Sequence, residues 1–410
     1  MNYVIIGNGV AGVIAAETIR QLDPEGNITM IGDETFDPYC RPMISLVLDG
    51  SIEPDRLPIR RARFYEDMRI EPVLGDRVTS IDVAAKTVSI RDKKTINYDK
   101  LLIASGADPR PVKAEGLDLK NISYMRTEAQ VRTMLRVLPY AKEALVLGGG
   151  LVGFKAAYGL LRRGVKVTML ILSDHPLSMQ VDEQAGKMIF DELLDHGLQV
   201  QVGVEVKAFD GNNQVRSAHL SDGKELSCDM VIIGKGVLPA LSFVPRDEIE
   251  VDLGIMVNQF METSVPGIYA AGDVAECIDV ARNSRWVNAI WPEAVTQGRI
   301  AGMNMAGRAV SYKGSLSRNV IRIFGVDVMA GGLVKPPSEL QYNIVTSMDR
   351  KRGTYRKLVF DEERLVGMVM VNSIEQGGPL LSLMHSQNPV TVPHEVLLQP
   401  SFNFRQLMSY

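Results

Sequence analysis

The run Tyr3-Val-Ile-Ile-Gly7 is apolar, with β-branched residues at Val4, Ile5 and Ile6, the pattern of a strand buried on both faces. It turns through Gly7-Asn8-Gly9 into Val10–Leu22, where apolar residues recur at helical spacing, and Asn27–Ile31 reads as a second strand. Together these form one βαβ unit. The same succession returns far along the chain: Ala144–Gly148 as strand, Leu151–Arg163 as helix, Val165–Leu172 as strand. A spacing this long indicates a duplicated domain architecture and not a short-period repeat.

Between the two units, Val83–Ile90 and Thr95–Tyr98 read as hairpin strands, and Lys100–Ala104 as a buried strand ending in Ser-Gly-Ala. Asp108-Pro-Arg-Pro-Val carries two prolines, which predicts an irregular crossover into the second unit. Further on, Asp229–Gly234 is a strand running into Gly-Lys-Gly-Val-Leu-Pro, and Gly267–Asp273 a strand ending in a tight turn. Trp291–Arg308 is a helix with Pro292 near its start, where proline is favourable. From Asn319 the pattern changes to short β-like runs, as in a small α+β domain.

The 410 residues exceed what one core organises, so two or three domains are expected. A net charge of −4 gives no electrostatic reason for nucleic acid or an anionic membrane as partner. No apolar run approaches the ~18 residues of a membrane span, and a first strand at Tyr3 leaves no room for a signal peptide. Cys40, Cys228 and Cys277 are too scattered for a disulfide framework, a zinc site or an iron–sulfur cluster. The expectation is a reducing, cytoplasmic compartment and no metal.

Gly7-x-Gly9-x-x-Gly12 has the spacing of a dinucleotide fingerprint. The first glycine permits the turn, the second lets backbone approach a pyrophosphate, and the third lets helix pack on strand. Asp33-Glu34, at the end of the next strand, can accept ribose hydroxyl hydrogen bonds; the plainer alternative is a solvated loop. Gly148-Gly-Gly150-x-x-Gly153 repeats the fingerprint without the acid, since the first polar residues beyond its second strand are Ser173 and Asp174. Either these and backbone hold the ribose or dinucleotide binding is weakened. No arginine stands there to favour a 2′-phosphate.

The motifs Val4-Ile-Ile-Gly-Asn-Gly, Tyr98-Asp-Lys-Leu-Leu-Ile-Ala-Ser-Gly, Leu147-Gly-Gly-Gly-Leu-Val-Gly and Gly267-Ile-Tyr-Ala-Ala-Gly-Asp-Val occur in this order. In that combination the chain resembles the two-dinucleotide-domain flavoprotein reductases of the pyridine nucleotide–disulfide oxidoreductase superfamily. Pro38-Tyr-Cys-Arg-Pro-Met-Ile-Ser and Trp291-Pro-Glu-Ala-Val-Thr-Gln-Gly-Arg are similar to the branch without a redox disulfide. That branch includes rubredoxin and ferredoxin reductases and the flavin domain of NADH-dependent nitrite reductase. The resemblance spans about residues 1–310. It implies an α/β fold with an FAD domain (1–110 and 241–318) interrupted by an NAD domain (111–240), then a C-terminal interface domain (319–410).

The resemblance also implies site residues. FAD would be held by the turn from Gly7 through Asn8, Val10 and Ala11 to Gly12, with Asp33 and Glu34. Arg41, beside Pro42, and Arg126 would approach its phosphate or adenosine portion. Val78 and Ala104-Ser105-Gly106 would offer backbone to adenine and pyrophosphate. Asp273, after Gly272, would bond the ribityl chain; Trp291, Glu293 and Ala294 would lie beside the isoalloxazine. NAD(H) would meet Gly148, Gly150, Leu151, Val152, Gly153, Lys155, Ser173, Asp174, Gly234 and Gly236. The partners implied are NADH or NAD+ and an iron–sulfur electron-carrier protein or subunit, with the chain as a homodimer or part of a larger complex.

Two departures matter. The disulfide reductases carry Cys-x4-Cys where only Cys40 occurs here, so a flavin–disulfide relay is excluded. A single-cysteine mechanism on disulfide or peroxide stays open, with Arg41 adjacent to favour the thiolate. In related ferredoxin reductases a Lys and a Glu pair beside the flavin; here those positions are Leu46 and Lys155, so one positive charge remains. Lys155 and Trp291 are therefore candidates for positioning or tuning. A further alternative is an FAD-binding docking subunit with a degenerate NAD site.

Overall fold

The computed structural model describes residues 1–91 and 94–407. Asn2–Ile6 pairs in parallel with Asn27–Gly32 on one side and Lys100–Ile103 on the other; Ile70–Leu74 and Ile268–Ala270 complete a five-stranded parallel sheet. Glu143–Leu147 occupies the same central place in a second parallel sheet, between Lys166–Ile171 and Met230–Ile233, with Gln199–Val202 and Ile122–Tyr124 at the edges. Their central strands are apolar on both faces because helices cover one face and a three-stranded antiparallel meander covers the other. The helices follow the sequence reading closely, at Val10–Leu22 and Leu151–Arg162.

Two local readings differ from the structure. Residues 83–86 are the turn, and not the start, of a three-stranded meander made by Val78–Asp82, Thr87–Ile90 and Thr95–Asn97; Lys86 at φ +54° closes that turn. The proline-bearing crossover is irregular only from Arg110 onward. Ala107–Pro109 pairs antiparallel with Val237–Pro239, flanked by Ala240 N–H to Gly106 O (3.0 Å) and Arg110 N–H to Gly236 O (2.9 Å). Proline is tolerated because a two-stranded ribbon consists of edges, where a missing N–H leaves no ladder bond broken. Both connections between the parallel sheets thus run through one ribbon.

The C-terminal region is a five-stranded antiparallel sheet in the order Arg318–Ile323, Val326–Gly332, Arg364–Val371, Thr354–Asp361, Asn343–Asp349, backed by the helix Gly377–Ser386. It is tied to the second parallel-sheet region through Asp182, which accepts from Tyr355 OH (2.7 Å) and lies 3.3 Å from Lys357 Nζ. Helix Trp291–Met305 packs lengthwise on helix Val10–Leu22. A Cβ at Gly298 would stand 2.3 Å from Ala11 O, so the two backbones touch there. Alanine ordinarily favours a helix over glycine by about 1 kcal/mol, but a rigid carbonyl cannot yield. Gly298→Ala is therefore expected to destabilise by about 1–3 kcal/mol, seen as a lower melting midpoint for flavin release. An unchanged or higher midpoint would show that the helices part freely.

Candidate active site

The first fingerprint is set by backbone contact. Gly7 sits at φ +112° and donates its N–H to Ile31 O (2.7 Å); a Cβ there would lie 2.1 Å from Ala104 O. A Cβ at Gly12 would lie 2.1 Å from Gly7 O, so the helix rests on the turn it follows. Gly9 differs: a Cβ would meet nothing within 4 Å, because the residue faces a cavity of about 630 Å³. A cradle that only glycine leaves open, at the start of a helix, is what a pyrophosphate requires.

That cavity gathers residues from distant parts of the chain. Asn8, Val10, Ala11, Asp33 and Glu34 line one side; Ala104-Ser105-Gly106, Arg126, Gly272 and Asp273 line another; Arg41, Pro42, Trp291 and Ala294 close it further. Two ion pairs, Glu34 with Arg41 (2.6 Å) and Arg126 with Asp273 (3.0 Å), are linked by Arg41 Nη1 donating to the backbone carbonyl of Arg126 (2.8 Å). Tyr39 OH also donates to Glu34 (2.9 Å), which leaves Asp33 the exposed acid of the pair. Gln297 Oε1 accepts from Gly272 N–H (2.8 Å) and so fixes the turn that presents Asp273.

The second unit reaches the same cavity. Leu151, Val152 and Lys155, on the first two turns of helix Leu151–Arg162, line it together with the first fingerprint. Among the described residues Lys155 makes no hydrogen bond or ion pair, and burial pulls its pKa down against the opposing influence of Cys40. Gly148, Gly150 and Gly153 with Gly234 form the second turn, where a Cβ at Gly148 would lie 2.6 Å from Gly234 O. Gly236, at φ +89°, leads into the interdomain ribbon. None of these five lines the large cavity, nor do Ser173 and Asp174. Ser173 Oγ is occupied by His175 O (2.9 Å) and Asp174 is exposed.

Several expectations need correction. Val78 is buried at 5% and does not line the cavity; Arg77 does, paired with Asp108 at 3.2 Å. Glu293 does not line the cavity; it accepts from Arg318 Nη1 (2.5 Å), which is on the cavity wall, and from Tyr312 OH. A carboxylate this buried needs such partners. Arg41 turns toward Glu34, so it is not the cation acting on Cys40; burial pushes that thiol up, and Lys155 is the charge that opposes the shift. Leu46 is 38% exposed and outside the cavity lining. The sequence reading missed Arg318, Asn319 and Val320, which bring an edge strand of the C-terminal sheet to the cavity wall.

Residues 1–298 match the family model described as pyridine nucleotide-disulphide oxidoreductase, and residues 318–388 that of the rubredoxin NAD+ reductase C-terminal domain. The chain belongs to the pyridine nucleotide-disulphide oxidoreductase family. Members work with FAD and NAD(H), and the glycine cradle and charged cavity here fit both. It is 27% identical to the assimilatory nitrate reductase electron transfer subunit of Bacillus subtilis, over 97% of this chain and 51% of that protein. The chain thus spans about half the length of the first curated relatives it matches. It is 28% identical to the NADH-dependent phenylglyoxylate dehydrogenase subunit epsilon of Aromatoleum evansii, over 97% of each. The covalent putidaredoxin reductase–putidaredoxin complex contains a chain that superposes with TM-score 0.90 and 25% identity, covering 100% of this chain and 98% of that one. Among the described residues, no helix is long and apolar enough to cross a membrane.

Proposed function

We propose that the chain exchanges hydride with NAD(H) at a bound FAD and single electrons with an iron–sulfur carrier protein or subunit. The observation that carries this reading is the shared cavity: the helix of the second dinucleotide unit lines the space that the first fingerprint opens. Nicotinamide bound by one unit would then lie against flavin bound by the other. FAD supplies the chemistry of taking electrons in pairs and passing them singly. The chain's own residues would hold and orient it: Asp273 at its ribityl chain, the Gly7–Gly9 turn at its phosphates, Arg41 and Arg126 toward its phosphate or adenosine portion, and Trp291 with Lys155 beside its ring.

We take the domains to be 1–110 with 241–318, 111–240 and 319–410, and the compartment to be reducing and cytoplasmic, in keeping with three free thiols. The direction of flow follows from the carrier's potential relative to nicotinamide. A relative of equal length that is named a dehydrogenase subunit supports a place in a larger complex over a free homodimer.

Lys155 is an unpaired cation at the flavin end, and its charge favours added electrons there. Lys155→Met is expected to retain flavin while its midpoint potential falls; about 30 mV corresponds to a tenfold change in a two-electron equilibrium. An unchanged potential would assign the side chain to packing alone. The single-cysteine reading is tested separately. Cys40→Ser should keep NADH-dependent reduction of ferricyanide and of a ferredoxin, whereas its loss for every acceptor would establish thiol chemistry at Cys40.

A further inference from the structure

The two dinucleotide turns are held by the same bond, which sets them in register. Gly7 N–H donates to Ile31 O at 2.7 Å, and Gly148 N–H to Leu170 O at 2.8 Å. Counting outward from those carbonyls, Asp33 in the first unit corresponds to Leu172 in the second, and Glu34 to Ser173. The position from which an acid meets the adenosine ribose is therefore a leucine, and it is 60% exposed.

The nearest loop residue, Ser173, carries no charge. Ser173 donates its hydroxyl to His175 O at 2.9 Å and, being neutral, can accept a ribose hydrogen bond but cannot repel a 2′-phosphate. The loop then turns back, with Leu177 at φ +57° donating its N–H to Gly149 O at 2.7 Å. Asp174 lies a residue further into this turn, and Leu172–Val181 contains no lysine or arginine. An acid at this position serves two ends: it accepts from the 2′- and 3′-hydroxyls, and it repels a 2′-phosphate. Leucine does neither. Without that repulsive element, selectivity loses its main source.

We infer that the second nucleotide site does not discriminate at the adenosine 2′ position and accepts NAD(H) and NADP(H) with comparable affinity, Leu172 being the residue responsible. This rests on the reading that the second unit binds a nicotinamide dinucleotide at all. The test is calorimetric titration of the FAD-loaded protein with NAD+ and, separately, NADP+, in the parent chain, in Leu172→Asp and in Asp174→Ala. The parent should bind both with dissociation constants within about tenfold of each other. Leu172→Asp should shift the ratio toward NAD+ by about 10- to 100-fold, from a charged hydrogen bond gained and a repulsion introduced. Asp174→Ala should leave the ratio as in the parent.

A parent preference above about tenfold for either nucleotide, or ~1.4 kcal/mol, would overturn the inference alone. So would a Leu172→Asp ratio equal to the parent's, or a loss of NAD+ preference in Asp174→Ala, which would make Asp174 the ribose acceptor. Failure of both nucleotides to bind would overturn it together with the proposed hydride exchange.

Discussion

Gly9→Ala is expected to fold as the parent does and to hold its flavin more weakly. Gly9 has φ −71° and ψ 178°, a conformation open to any residue, and a Cβ there meets nothing within 4 Å. The substitution therefore strains neither backbone nor core. What it fills is the cradle at the start of helix Val10–Leu22, where the pyrophosphate must come into contact with backbone. A methyl group in a close contact costs about 1–3 kcal/mol, or roughly a 5- to 150-fold loss of affinity. Flavin content after gel filtration and a fluorescence titration with added FAD would measure it. The far-ultraviolet spectrum of the apoprotein should match that of the parent apoprotein. Full retention of flavin would remove the Gly9 turn from the binding site.

Gly150→Ala should give the complementary result: yellow protein that NADH reduces slowly. Gly150 repeats the geometry of Gly9, with φ −73°, ψ 179° and nothing within 4 Å of its Cβ. It lies outside the large cavity, so FAD should be bound as before. The nucleotide's pyrophosphate would meet the added methyl, and the apparent affinity for NADH should fall by about the same 5- to 150-fold. The limiting reduction rate should change little, because the site of hydride transfer lies at the other end of the nucleotide. Loss of FAD in Gly150→Ala, or an unaltered NADH dependence, would contradict the separation of the two sites. Together the two variants assign one fingerprint to each cofactor.

Glycine turns were legible in the sequence because their requirement is local: a strand, a tight turn and a helix in fixed order leave few residue choices at Gly7, Gly9 and Gly12. The duplication at Gly148–Gly153 was legible for the same reason. Glu293 was misread because the motif Trp291-Pro-Glu-Ala does not say which face of its helix meets the cavity. Trp291 and Ala294 line it, whereas Glu293 is turned toward Tyr312 and Arg318. Those partners come from a connection and a strand whose placement depends on tertiary packing. Arg318–Val320 were missed on the same account, since nothing in a short β-like run tells which wall it will form. Pro109 misled in the opposite direction, because its ribbon partner at Val237–Pro239 is remote in sequence.

The most direct test of the account is anaerobic stopped-flow mixing of the FAD-loaded protein with NADH while the flavin absorption band is followed. Bleaching of the band in a fast phase whose rate saturates with NADH concentration is the predicted result. A band that stays unbleached with both NADH and NADPH would contradict hydride exchange in the shared cavity and leave the second dinucleotide unit a structural element.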